Sequence, residues 1–172
     1  MADFQSAVEK LLKLEGGFAA ADNNAGAVNF GITQQFLRSI GRPATLEDVR
    51  TLTREEAIAL YREYFWDKLR IGEIHDQRLA EMLFFAAVNM GPSRPIRYLQ
   101  EALRELRRDV QVDGAIGPQT LSALNGLDVN ETKAVVLSLK QRLQARYRDL
   151  AQRNPALYGD DLRGWLARLE AV

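Results

Sequence analysis

Cysteine is absent from the chain and histidine occurs once, at position 75. These gaps remove thiol nucleophiles, structural zinc centres built from Cys and His, and a Ser-His-Asp triad with a histidine to spare. No metal or cofactor is expected, and any acid chemistry falls to carboxylates. Neither sign of charge is in excess: 23 Lys and Arg stand against 23 Asp and Glu. That balance argues against a dedicated nucleic-acid binder, which carries net positive charge. The longest apolar run, residues 82–88, is far shorter than the roughly 20 residues that span a bilayer, so no membrane anchor is expected. Residues 1–6 lack the basic and apolar regions of a secretory signal, and the expectation is that the protein is cytoplasmic on synthesis.

What is present is a helical pattern. With 172 residues, 47% of them hydrophobic, the chain is long enough to bury roughly 70% of its unfolded surface without disulfide or metal. Phe4, Val8, Leu11 and Leu12 predict a first helix over about 3–14, stopped by Gly16-Gly17. A small, polar stretch over 18–32 predicts a turn-rich loop or a small hairpin. Thr33 caps a short helix to Ile40, and Thr53-Arg54-Glu55-Glu56 is a capping box for a helix reaching Trp66. Leu79, Met82, Leu83, Ala86 and Ala87 mark a central buried helix ending at Asn89-Met90-Gly91-Pro92. Behind it come a helix from Ser93 with Arg104, Arg107 and Arg108 on its solvent side, and a turn at Val112-Asp113-Gly114-Ala115-Ile116-Gly117-Pro118. That turn opens another helix. A long helix over about 130–152 carries Val136, Leu139, Leu143, Tyr147 and Leu150 on one stripe, and a short one over 162–169 surrounds Trp165. No linker or repeat divides the chain, so lobes over 1–92 and 93–172 are expected to pack as one body.

Glu15 lies where the first helix gives way to glycine. A helix C-terminus carries partial negative charge and disfavours another, so the Glu15 proton is held more tightly. Loss of water around the side chain would add to this and prepare a general acid for glycosidic cleavage. The other reading is a solvated Glu at a frayed helix end. Asp22 follows in the loop, either as a second carboxylate or as the side chain of an Asx-turn. His75, beside Asp76, reads as a surface residue without a role.

In order along the chain stand Glu15-Gly16-Gly17-Phe18, Asn29-Phe30-Gly31-Ile32-Thr33, Tyr64-Phe65-Trp66-Asp67 and Ala87-Val88-Asn89-Met90-Gly91-Pro92. Further on come Leu99-Gln100-Glu101-Ala102-Leu103, the turn before Gln119-Thr120-Leu121, Tyr147 and Gly164-Trp165-Leu166. This ordered set resembles glycoside hydrolase family 108, the phage-type N-acetylmuramidases with a C-terminal peptidoglycan-binding-like region. The resemblance implies an all-α, lysozyme-like fold and peptidoglycan glycan strands as substrate. It implies cleavage of the β-1,4 bond after N-acetylmuramic acid with Glu15 as the essential residue. Access to the wall would follow release or export, through a holin-like pore in a phage or prophage setting or by a secretion route. Asn29 and Asn89 either hold an N-acetyl group or satisfy backbone groups in turns. Tyr64, Trp66, Tyr147 and Trp165 either stack on sugars, the role assigned to Tyr147, or fill the core. The chain departs from the family pattern at Val28, where a Thr is usual, and at Phe85, where an Asp is common. Loss of a hydroxyl and a carboxylate from the cleft would weaken hydrolysis, leaving as the alternative a peptidoglycan-binding or secretion-accessory protein of impaired activity.

Overall fold

A computed structural model describes residues 1–22, 26–159, 161–170 and 172, without the side chains at positions 21, 22, 156, 157 and 161. Helix α1 (Phe4–Leu14) begins where the Asp3 carboxylate accepts from the Ser6 N–H and buries Phe4, Ala7, Val8 and Leu11 on one face. The polar stretch behind it forms a three-stranded antiparallel sheet, β1 (Ala19–Asp22), β2 (Gly26–Asn29) and β3 (Ile32–Thr33), in sequence order. Val28 pairs with Ala19 on one side and with Thr33 on the other. The predicted hairpin is thus real, with a two-residue third strand added.

Thr33 caps α2 (Gln34–Ser39), and capping boxes at Thr45/Asp48 and Thr53/Glu56 open α3 (Leu46–Arg50) and α4 (Arg54–Tyr61). The pattern after Tyr61 predicts continued α-helix with Tyr64 and Phe65 inward. The backbone instead widens into a π-helical segment, Arg62–Asp67. An i→i+5 turn brings residues five apart toward one face, so Trp66 joins Tyr61 in the interior while Tyr64 and Phe65 are half-buried.

Helix α5 (Gln77–Met90) is the centre of the molecule, buried from Leu79 through Ala87. Its one charge in that run, Glu81, is 1% exposed and accepts from the Lys10 ammonium at 2.7 Å. Helices α6 (Ser93–Glu105), α7 (Pro118–Asn125) and α8 (Val129–Arg153) follow, α8 opened by the Asp128/Glu131 capping box. The buried stripe of α8 is Val135, Leu139, Leu143, Tyr147 and Ala151, with Val136 and Leu150 at its half-buried edge. Arg108 is not wholly solvated, since it donates to Glu131 across to α8. A short α9 (Pro155–Tyr158) leads to α10 (Asp161–Glu170), which packs on α8 and returns to touch α5 and α1. The last helix therefore lies beside the end of the first.

Candidate active site

The local backbone at Glu15 decides where its side chain goes. Its N–H makes the last helical bond, to the Leu11 carbonyl at 3.0 Å. Its own φ of −81° and ψ of 143° are extended. Glu15 is itself the C-cap, and neither Gly16 nor Gly17 takes the left-handed conformation usual of a capping glycine. The helix ends at Leu14, as the pattern predicts, and the extended backbone of Glu15 brings its carboxyl against the Gly31 turn.

There it meets the tip between β2 and β3. Phe30 and Gly31, with φ of 51° and 77°, form a two-residue connection between the paired residues Asn29 and Ile32. Two successive positive φ values match the twist of a tight hairpin. The Tyr61 hydroxyl donates to the Phe30 carbonyl at 2.9 Å and ties this tip to α4. A Cβ on Gly31 would lie 2.5 Å from that hydroxyl oxygen and 2.8 Å from the Glu15 carboxyl carbon. Only a residue with no side chain lets the three groups meet.

From the other end of the chain, α10 supplies Arg168. Its Nη1 donates to Glu15 Oε1 at 3.1 Å and its Nη2 to Asn89 Oδ1 at 2.9 Å. The Asn89 amide nitrogen donates in turn to the Tyr147 hydroxyl at 3.0 Å. Arg168 Nε is buried without an acceptor among the described residues. A guanidinium this close favours the ionised carboxyl, opposing in sign the effect of the helix end. Burial pushes the Tyr147 phenol up to about 12. It also raises the Tyr61 phenol well above its usual value, with Glu15 adding to the effect. Both hydroxyls are therefore neutral donors and acceptors near pH 7. Among the described residues, no group of three or more His, Cys, Asp or Glu side chains is arranged to hold a metal ion.

The residues singled out from sequence fare differently. Glu15 and Asn89 come together through Arg168, which sequence reasoning missed. Its signal was a cation three residues after Trp165 and just before Leu169, on the buried side of a short helix. The side chain of Asp22 lies outside the described residues. Asn29 is buried, and its amide nitrogen donates to the carbonyls of Val49, Arg50 and Leu52 at 3.1, 3.4 and 3.3 Å. It thereby satisfies the end of α3, the backbone-satisfying alternative to sugar contact. Tyr147 is 0% exposed and cannot stack on a sugar. This corrects the substrate contact assigned to it, because its ring lies against Trp165, 5.0 Å between centroids, and its hydroxyl holds Asn89. Trp66 and Trp165 are core as well. Phe85 is fully buried, its ring 5.9 Å from that of Phe84, so it forms part of the core and not of a cleft floor. Val28 is half-buried on β2, and His75 is exposed.

Residues 8–91 match the family model of glycosyl hydrolase 108, and residues 94–170 match that of a predicted peptidoglycan domain. No protein of curated function matches the chain. Among solved structures, that of SagA from Brucella abortus superposes with a TM-score of 0.74 over 98% of this chain and 94% of that one, at 24% identity. This likeness shows the mostly α-helical, lysozyme-like fold. The two family matches support a glycoside hydrolase whose partner is peptidoglycan. Residues 8–91 thus belong to glycosyl hydrolase family 108, and residues 94–170 form a predicted peptidoglycan domain behind that hydrolase region.

Proposed function

We propose that the protein is an N-acetylmuramidase that cuts the β-1,4 bond between N-acetylmuramic acid and N-acetylglucosamine in peptidoglycan, with Glu15 as general acid. The observation that carries this reading is the seat of the Glu15 carboxyl. It lies within the hydrolase-family region, is 17% exposed, and is held between the Gly31 turn and α10. Cleavage requires a proton on the leaving sugar oxygen while positive charge grows at the anomeric carbon. A carboxyl that is shielded yet reachable can deliver it. Asp22, at the end of β1 across from Gly26, is the proposed second carboxylate, placed by its position in the chain. Asn89 is proposed to meet an N-acetyl group by way of the same junction.

The test compares clearance of a purified wall suspension by the parent and by Glu15→Gln, which keeps the shape and removes the acid. A loss of about 10²–10⁴-fold is expected, and equal clearance by both would remove Glu15 from the chemistry. A second reading, a glycan-binding protein without turnover, draws on the Arg168–Glu15 ion pair, which favours the state of Glu15 that cannot donate a proton. Co-sedimentation with wall and no release of reducing ends would select it.

A further inference from the structure

As general acid Glu15 must carry a proton, yet Arg168 Nη1 lies 3.1 Å from its carboxyl oxygen. The two side chains are only 17% and 8% exposed, so water does little to screen the pair. The guanidinium itself is under-satisfied. Nη1 and Nη2 are engaged by Glu15 and Asn89, while Nε is enclosed with no acceptor among the described residues. Buried donors are nearly always paired, so the guanidinium is short of an acceptor in the resting fold and gains from a shift that supplies one.

We propose that Arg168 is a positioning residue that keeps Glu15 as a carboxylate until a glycan strand takes over the guanidinium, so that α10 from the predicted peptidoglycan domain arms the acid of the hydrolase region. The inference rests on the reading of Glu15 as the acid. The acceptor is an amide carbonyl of the N-acetylated sugars, neutral and suited to a guanidinium N–H. As Nη1 leaves Oε1 for that carbonyl, Glu15 takes one proton from water. It then passes this proton to the glycosidic oxygen, which keeps the electron pair of the breaking C–O bond. The water that adds to the anomeric carbon releases a proton in turn, and Arg168 rebinds the carboxylate. No oxidant or cofactor enters.

Neutral groups from three elements lie against this pair. Tyr61 from α4 and Tyr147 from α8 are buried phenols that stay neutral at working pH, and Asn89 from α5 is an amide. On α10 itself Glu170 is engaged with Lys140 and Gln144 of α8. Lys13, two residues before Glu15 on α1, is exposed. Arg168 is a cation in direct contact with the Glu15 carboxyl.

The measurement is the pH dependence of kcat and kcat/KM on soluble, uncross-linked glycan strands, since kcat/KM reports the free enzyme and kcat the complex. In the parent, the alkaline limb of kcat/KM should lie at lower pH than that of kcat. In Arg168→Gln the kcat/KM limb should rise by on the order of one pH unit and meet the kcat limb, whereas Arg168→Lys should keep the parental order. Coincident limbs in the parent, or an unchanged gap in a folded Arg168→Gln, would overturn the proposal. The parental comparison decides the matter even if Arg168→Gln does not fold. Parent-like turnover by Glu15→Gln would instead strike the general-acid reading and leave a different signature.

Discussion

Between the hydrolase region and the domain behind it, the interior changes character. In the first, Phe4, Tyr61, Trp66 and Phe85 surround Phe84, with centroids 5.4–6.2 Å from its ring. In the second, α6 packs on both α7 and α8, and Leu99, Leu103, Leu121, Leu124, Leu139 and Leu143 are buried. Large rigid rings fix a few irregular elements at set positions: the π-helical segment, the tight turn at Phe30-Gly31 and the extended exit of α1. Leucines on α6 and α8 form a regular frame, and the Tyr147–Trp165 contact seats on it the helix that brings Arg168 to Glu15. The halves differ because one must shape a site and the other must reach it.

The sharpest way to break this contrast is to empty each core. Phe84→Ala is expected to cost about 4 kcal/mol, because several rings lose their shared partner, and Leu139→Ala about 3. Urea unfolding would measure both, and equal losses would mean that the aromatic hub has no special standing. Next in size is an alkaline effect that belongs to the second half. The Tyr147 phenol is pushed from 10.0 up to about 12, so the folded state holds this proton more tightly than the unfolded chain does. The associated stability, about 2–3 kcal/mol, is complete below about pH 10 and is lost as pH climbs through about 12. Tyr147→Phe should flatten that decline between about pH 9 and 11.5, leaving a residual slope from Tyr61, whose phenol is shifted in the same direction. An unaltered slope in the variant would assign the decline elsewhere. The smallest effect should be shared. Thr53→Ala and Asp128→Ala each remove the cap of a capping box, one in each half, and each should lower stability by about 1 kcal/mol. Thermal melts would show whether the regions are alike in local helix chemistry even as their cores differ.

Much of this was legible along the chain. Helices α1, α4, α5, α6, α7, α8 and α10 announce themselves through periodic apolar residues, and α4 and α7 also through Thr53 and Pro118 at their starts. What was hidden depends on register. The π-helical segment uses the same residue types as an α-helix, so only packing reveals that Trp66 rather than Tyr64 turns inward. The stripe of α8 keeps Leu139, Leu143 and Tyr147 but ends on Val135 and Ala151, with Val136 and Leu150 half-buried at its edge, a detail that the pattern cannot fix. In the candidate site, Glu15 was visible from its place before two glycines. Arg168 was not, because its partners lie 153 and 79 positions away and nothing local distinguishes it from a solvated arginine. Asn29, Asn89 and Tyr147 were noticed for their chemistry. Which of them is reachable from solvent is a matter of burial, and burial is a tertiary property.

The bare backbone at Gly31 has one more consequence. With a φ of 77° and carboxyl and phenol oxygens within 3 Å of where a first side-chain carbon would stand, it is the mould against which the acid is cast. Adding a single methyl there would leave every charged group of the junction in the chain and still displace the Glu15 carboxyl.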